Sequence, residues 1–343
     1  MNQASGIAVE VVRSIEAVDP GEWRRTVARA DAPVFYSYEY LAAYERHPLG
    51  AFAGGRYLLV RSRGELIAVF PCYLQPRGDP LGVFANSPVT ATNPAVLGHV
   101  WYCYDTRIPH VATSSGLVTA ICEAVLDELA RVRIADHAAL AGFVNVAEGD
   151  PLLEIAQRKG WLVIPMDIRY QLLLDGMATF DDYLASLARK PRQNLGRHLR
   201  RARDAGVTTS VSLPRSEDLP EVGGLCRLTA GKFGNTDFYP QDQFGGFVMG
   251  LADRARVVRV DRGGELLATA VALLDESRLH MWVAGFRYAT VAGFSPHYVL
   301  WSAEIRAAIE LRASLVEGGR RNDLFKKRHG MRPVQLHACV TAG

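Results

Sequence analysis

The clearest β-structure in the sequence is ARVVRVDRGGELLATAVALLDESRLHMWVAGF, residues 255–286. Its three apolar runs are separated by RGG (262–264) and ES (276–277), turn residues of the kind that join the strands of hairpins. The stretch therefore predicts a three-stranded antiparallel meander. A long helix is predicted after it, over 295–313, because Ser295 can cap the helix and Pro296 suits its first position.

The elements around this stretch predict two related domains. A strand (170–176) and a basic helix interrupted near Pro191 (189–206) precede the meander, and strands at 314–318 and 333–340 follow the long helix. The first half repeats this order in a shorter form: helix, hairpin, long helix, strand and short helix. We therefore predict an α/β fold of the α+β type, with domains at 1–165 and 166–343, each a mixed, mostly antiparallel sheet flanked by helices.

Composition indicates a globular protein of ordinary charge. The chain has 343 residues, 49% of them hydrophobic, and a formal net charge of +3. Its five cysteines are odd in number and form no CxxC pair, which favours reduced thiols over a disulfide framework or a metal site. The N-terminal residues lack a signal-peptide pattern, and no apolar run approaches the roughly 20 residues that span a bilayer. We expect a soluble, cytoplasmic protein with no membrane span.

The second half resembles the Fem-like branch of the GNAT acyltransferase superfamily, which includes peptidoglycan aminoacyltransferases and acetyltransferase domains grouped with cellulose-biosynthesis proteins. SLARKPRQNLGRHLRRARDAGV (186–207) resembles the basic helix of that family, and AGFRYATVAGFSPHYVLWSAEI (284–305) resembles its strand, loop and long helix. In the last motif, an acidic residue at the strand end precedes an aromatic-lysine pair. Here these are Glu317 and Phe325-Lys326, with nine residues from Glu317 to Lys326. The resemblance covers about residues 165–340.

The resemblance implies an N-acyltransferase that passes an acyl group to an amine of a small metabolite or a cell-wall precursor. The first domain would then serve the acceptor and the second the donor. Lys326 would stabilise the negative charge of the tetrahedral intermediate. Its alternative role is that of a cation on a surface helix. Glu317 replaces the family's usual Asp, and Arg321-Asn322 replace a frequent Gly-Asp, so the substrate is expected to differ.

Two basic segments predict contacts with an anionic donor. The first is GGRRNDLFKKRHGM (318–331), with its arginines and lysines beside an aromatic residue, and the second is the helix at 189–206. Such clusters suit phosphates, although solvated helix faces have the same composition. The candidate donor-binding residues are Arg192, Arg197, Arg200, Arg201, Arg320, Arg321, Phe325, Lys327 and Arg328.

The loop before the long helix bears on the identity of the donor. A glycine-rich loop there would bind the pyrophosphate of coenzyme A through backbone N–H groups. Residues 287–296 hold one glycine, and Pro296 lacks an N–H donor, so the sequence favours aminoacyl-tRNA, contacted at its 3′ end, over an acyl-CoA thioester. Either would be a co-substrate, and no tightly bound cofactor or metal is predicted. A non-catalytic module that binds RNA or another anion is a further alternative.

A general base and an acceptor site are also needed. His280 and Tyr298 are candidate proton acceptors, although a histidine on a strand is more often a core residue. Aromatic clusters are likewise more often core than pocket. The candidate acceptor-binding residues are Tyr36, Tyr38, Glu39, Tyr104, Asp237, Trp282 and Glu317.

Overall fold

A computed structural model describes residues 6–288 and 293–342. The chain divides into two compact units, Met1–Asp167 together with Gln335–Gly343, and Ile168–Val334. In the part of the chain described, no helix is both long and apolar enough to cross a membrane.

The first unit is an α/β structure around one sheet. Its elements are β1 (Ile7–Val12), α1 (Pro20–Arg29), α2 (Tyr38–Arg46), β2 (Gly54–Ser62), β3 (Glu65–Gln75), β4 (Ala95–Gly98), α3 (Ser115–Ala135), β5 (Leu140–Ala147) and α4 (Pro151–Arg158). The strands β6 (Leu162–Leu173) and β12 (Arg332–Ala342) carry the chain out of this unit and back into it. The sheet order is β1-β2-β3-β4-β5-β12, with β4 and β5 parallel and the other neighbours named antiparallel.

The second unit has the same plan with more elements. These are α5 (Phe180–Ser186), α6 (Arg189–Asp204), β7 (Val207–Ser212), α7 (Leu219–Lys232), α8 (Gln241–Gly250), β8 (Ala255–Arg262), β9 (Glu265–Leu274), β10 (Arg278–Phe286), α9 (Pro296–Glu310), β11 (Leu315–Arg320) and α10 (Asp323–Arg328). The sheet order is β6-β11-β10-β9-β8-β7, and β10 and β11 form its parallel pair. The predicted fold class, an α/β structure of the α+β type with mixed, mostly antiparallel strands flanked by helices, is confirmed.

Helices cover the two faces of the second sheet in different ways. On one face, α9 packs its apolar residues, among them Trp301 and Ile305, into a core with Tyr170 of β6. On the other face α7 lies very close to β10, because a Cβ at Gly285 would be 2.5 Å from the backbone nitrogen of Cys226. Glycine is therefore the residue that lets helix and strand approach at this point.

Local signals in the sequence explain most of the helix boundaries. Ser114 caps α3 through a hydrogen bond from the Leu117 amide, and Pro296 begins α9. The basic helix α6 is continuous through Pro191, whereas an interruption was predicted there. Pro191 lies at the third position of α6, where backbone N–H groups have no partner within the helix, so proline costs no hydrogen bond.

The final strand has an unexpected partner. The predicted division at 165/166 places residues 333–340 in the second domain. In the structure, β12 pairs with β5 of the first unit over Leu336–Ala342, with Leu336 opposite Ala147. The period-two pattern of a strand shows that it pairs but not with which strand, so this long-range partner could not be read from local sequence.

Candidate active site

The parallel strands β10 and β11 are paired only at one end. Their register partners are Arg278 with Leu315, Leu279 with Val316, and His280 with Glu317. β10 then continues to Phe286 along β9, and β11 continues to Arg320 with an irregularity after Glu317. Two parallel strands that separate in this way leave room between them for an extended ligand that hydrogen-bonds to backbone groups.

Glu317 lies at the last paired position, on the sheet face opposite α9. Successive strand residues alternate between faces. Val316 belongs to the core that α9 covers, so Glu317 points to the other side. The side chain is 1% exposed, and its Oε1 accepts a hydrogen bond from Gln171 Nε2 at 2.6 Å. Arg169 Nη1 lies 3.7 Å from the same oxygen, while Oε2 is buried and has no hydrogen-bond partner among the residues described.

His280, the predicted proton acceptor, is fully buried next to Glu317. Its Nε2 donates to Asp275 Oδ2 at 2.9 Å, and Arg278 Nε contacts both oxygens of the same carboxylate at 2.9 and 3.0 Å. Burial raises the pKa of Asp275, but the hydrogen bond from His280 and the charges of His280 and Arg278 outweigh it and hold the pKa below its usual range. These contacts indicate that His280 stabilises the turn between β9 and β10.

Lys326 is buried at 6% exposure and does not point into solvent. Its ammonium donates to the carbonyl oxygens of Gly319, at 3.1 Å, and Arg320, at 2.6 Å, and lies 5.3 Å from the ring centroid of Tyr170. Tyr170 belongs to the α9 side of the sheet. Lys326 and Glu317 therefore approach the end of β11 from opposite faces.

Two titratable residues near Lys326 were missed in the sequence. Glu304, in the middle of α9, is 5% exposed, and burial raises its pKa to about 8 even though the nearby charge of Lys326 lowers it. His297 at the start of α9 accepts a hydrogen bond from Asn322 Nδ2 at 3.2 Å, and burial, with the charges of His329 and Lys326, lowers its pKa to about 4. A helical pattern does not reveal which glutamate faces a sheet, but a histidine in the first turn of the predicted helix was a visible signal.

Tyr298 lies where α6, α9 and α10 meet. Its ring stacks on His198 of α6 at a centroid distance of 4.3 Å and contacts Phe325 of α10 at 5.1 Å. Its hydroxyl accepts a hydrogen bond from Asn194 Nδ2 at 2.7 Å. These contacts fix the ring, so the structure brings Tyr298 and Phe325 together as a packed junction between three helices.

The junction places part of the basic helix beside the N-terminus of α9. His198 Nδ1 accepts from the Ser295 amide at 3.1 Å, and Arg201 Nη1 donates to the Gly293 carbonyl at 3.0 Å. Arg197 lies on the same side of α6, since an α-helix has about 3.6 residues per turn. By the same geometry Arg192 and Arg200 lie about 100° or more around the helix from Arg201.

The other predicted donor-binding residues differ in exposure. Arg320 is half-buried at the end of β11. The remaining cations are exposed on the turn before α10 and on α10 itself: Arg321, Lys327 and Arg328. The predicted donor loop, 287–296, contains residues 289–292, which lie outside the described residues.

The predicted acceptor-binding residues do not form one cluster within either unit. Tyr36 and Tyr104 are core residues of the first unit: the Tyr36 hydroxyl donates to the Arg107 carbonyl at 2.7 Å, and the Tyr104 ring packs on Phe35. Tyr38 and Glu39 are half-buried on α2, and both contact Arg24.

In the second unit, Asp237 is exposed between α7 and α8. Trp282 packs against Tyr239 and Phe247, with centroid distances of 5.8 and 5.4 Å. The acceptor-binding roles predicted for the residues of both units remain predictions.

Comparisons with known proteins agree with this arrangement. Residues 189–327 match the acetyltransferase (GNAT) domain family. The fold is similar to that of FemX, with a TM-score of 0.63 at 11% identity over 96% of both chains. It is also similar to a tandem GNAT protein from the clavulanic acid biosynthesis pathway, with a TM-score of 0.56 at 16% identity over 98% of both chains. The C-terminal domain of a putative lysylphosphatidylglycerol synthetase from Agrobacterium fabrum gives 0.57 at 13% identity, over 96% of this chain and 93% of that one. No curated protein matches the chain in sequence.

The family match identifies residues 189–327, which include the separating strands, as an acetyltransferase domain of the GNAT superfamily. The fold of the whole chain is similar to that of FemX, in agreement with the Fem-like resemblance of the basic helix and the aromatic-lysine pair.

Proposed function

We propose that the protein transfers an acyl group to an amine at the point where β10 and β11 separate, with Glu317 as the general base. The observation that carries this proposal is the buried Oε2 of Glu317, which has no hydrogen-bond partner in the described chain and lies at the last paired position of the two strands. A buried carboxylate oxygen without a partner is costly. An ammonium or amine of the acceptor would supply the missing hydrogen bond.

The chemical step follows from this placement. The acceptor's nitrogen gives a proton to Glu317, attacks the carbonyl carbon of the donor, and forms a C–N bond. The bond between that carbon and the donor's leaving atom then breaks, and the leaving atom takes up the proton. Base catalysis of this kind contributes about 10²- to 10⁴-fold to rate.

Lys326 is proposed to act at the other face of the same strand end. In its present position the ammonium holds two carbonyl groups of residues 319–320, so it fixes the backbone that follows Glu317. Its positive charge would stabilise an oxyanion that forms at this strand end. Direct contact with the oxyanion requires that it exchange one of these carbonyls for the substrate oxygen.

For the donor we propose an acyl-CoA thioester. An extended pantetheine-like arm, which carries amide groups, suits the space between β10 and β11. Its phosphates would lie at the start of α9, where the helix N-terminus favours anions and Arg197 and Arg201 are close.

Aminoacyl-tRNA is the second candidate, and the far side of α6 is the observation that favours it. Arg192 and Arg200 are exposed there and have no acidic partner among the described residues. A phosphodiester chain could follow such a surface, whereas the compact phosphates of coenzyme A would not reach it.

The donor assay uses the purified protein, a panel of amines, and either acetyl-CoA or charged tRNA. Release of free thiol that depends on the amine supports the acyl-CoA proposal. Transfer that requires charged tRNA and is abolished by RNase would show that the donor is aminoacyl-tRNA and not acyl-CoA. The proposed role of Glu317 would be unaffected by that result. Absence of transfer from both donors to every amine contradicts the proposal.

A further inference from the structure

The first unit contains a polar cavity that has no part in the proposed chemistry. Its volume is about 250 Å³, and its lining includes Arg107, His110, Cys122 and Asp150. Pockets for drug-sized ligands measure roughly 300–1,000 Å³. The cavity therefore suits a small metabolite.

Arg107 contributes a positive charge held in a fixed position. Its Nη2 donates to Asp105 at 2.6 Å, and its backbone N–H donates to the Tyr36 hydroxyl at 2.9 Å. The other guanidinium N–H groups make no hydrogen bond within the described chain. A guanidinium anchored in this way can present two parallel donors to a carboxylate.

Asp150 contributes a negative charge to the lining of the same cavity. Its Oδ1 caps α4 by accepting from the Leu152 amide at 2.9 Å, and its second oxygen has no hydrogen-bond partner in the part of the chain described. His110 adds a ring nitrogen, Nδ1, that is buried without a partner among those residues. Burial raises the pKa of Asp150, and the cap bond and the charge of Arg107 offset this only in part.

A ligand with one charge would fit poorly, because an anion would face Asp150 and a cation would face Arg107. We propose that the cavity binds a small zwitterion of the α-amino acid class, with its carboxylate on Arg107 and its ammonium on Asp150. His110 Nδ1 would give the ligand a further hydrogen bond. The residues of this site belong to the first unit, and the proposal does not depend on the proposed acyl-transfer chemistry.

The test is isothermal titration calorimetry of the full chain, without any acyl donor, against L-alanine, L-serine, acetate and methylammonium chloride. We expect saturable binding of the amino acids and at least tenfold weaker binding of acetate and methylammonium. Asp150→Asn should weaken amino-acid binding at least tenfold, because the amide oxygen still caps α4 but the charge is lost. Glu154→Gln on the exposed side of α4 is the matched control and should bind as the wild type does.

His110→Ala is a second variant that leaves both charges and the helix cap in place, and we expect it to weaken amino-acid binding several-fold. Far-UV circular dichroism of each variant checks that it is folded. The proposal is overturned by the absence of amino-acid binding at 10 mM or by acetate binding as tightly as L-alanine. Unchanged affinity in folded Asp150→Asn also overturns it.

Discussion

Glu317 and His280 are neighbours across the parallel strands β11 and β10, but their polar surroundings differ. The His280 imidazole holds the Asp275 carboxylate at 2.9 Å, whereas Glu317 keeps one buried carboxylate oxygen without a hydrogen-bond partner in the described chain. The histidine is thus engaged in the β9–β10 turn, and the glutamate has the open acceptor that a general base needs. The proposed assignment of the base rests on this difference.

Replacing Glu317 by Gln should lower kcat about 10²- to 10⁴-fold with little change in donor affinity, because the amide keeps the size of the side chain but cannot accept a proton. Steady-state kinetics with acyl-CoA and an amine, together with calorimetry of donor binding, measure both quantities. Glu310→Gln, at the exposed end of α9, is the control. Full activity of Glu317→Gln would remove the residue from the mechanism.

Replacing Lys326 by Met should reduce stability as well as turnover. The carbonyl oxygens of Gly319 and Arg320 would lose their donor, which costs about 1–3 kcal/mol when such groups stay buried. Denaturant unfolding measures the first effect, and kcat of the folded fraction measures the second. A variant that is destabilised but has wild-type kcat would limit Lys326 to holding the backbone, whereas normal stability with lost turnover would support direct contact with the oxyanion.

Glu304 should make stability depend on pH in a defined direction. Its pKa is raised from 4.5 to about 8 in the folded protein, so the folded state keeps a proton that the unfolded chain has released. The folded state should therefore lose stability as pH rises from about 4.5 to 8. Each pKa unit corresponds to about 1.4 kcal/mol, so Glu304→Gln should be more stable than the wild type at pH 8.5 by on the order of 3–5 kcal/mol.

Urea unfolding of the wild type and Glu304→Gln at pH 4.5 and pH 8.5 measures this difference. Near pH 4.5 the difference should be much smaller, since the Glu304 side chain is then protonated in the folded state and about half protonated in the unfolded chain. An equal stability difference at the two pH values would show that Glu304 does not ionise between them in the way proposed.

Replacing Arg201 by Ala should weaken binding of the donor. Its guanidinium lies beside the start of α9, where the phosphates are proposed to bind, and a hydrogen bond to a charged group contributes about 1.5–3 kcal/mol. We expect Arg201→Ala to raise the Kd for coenzyme A at least tenfold, with a weaker dependence of log Kd on salt. Arg203→Ala, on the opposite side of α6, is the matched control. Equal losses of coenzyme A affinity in the two variants would indicate that the overall positive charge of α6 matters and not a specific contact of Arg201.

A side chain at residue 285 should disrupt the contact between α7 and β10. The Cβ of Gly285→Ala would approach backbone atoms of Leu225 and Cys226 to 2.5 Å, and backbone cannot move aside as a flexible side chain can. We expect a loss of about 1–3 kcal/mol in unfolding free energy. Gly224→Ala in α7 is the control, because its Cβ meets no atom within 4 Å and alanine favours a helix. Equal stability of the two variants would contradict the close approach.

Local chemistry explains why the meander and the long helix could be predicted. The turns at residues 262–264 and 276–277 and the Ser-Pro start of α9 act within a few residues, so the sequence contains the information in one place. The short strand β4 was not predicted, since four apolar residues inside a long loop carry no periodic signal.

The site was only partly predictable for a related reason. The spacing within the family motif singled out Glu317 and Lys326, and both are buried near the end of β11. Which face of the sheet each occupies depends on strand register and on the packing of α9, and neither is local. The burial of Glu304 was missed for the same reason, because a glutamate in a helix is usually solvated.

The pairing of β12 with β5 has a consequence for biosynthesis. The ribosome completes β5 and then must synthesise all of the second unit before Leu336–Ala342 emerge to pair with it. One edge of the nascent first sheet therefore stays open through much of translation, and an unpaired strand edge can recruit other chains. The strand that pairs with β5 is thus synthesised only after the whole of the second unit.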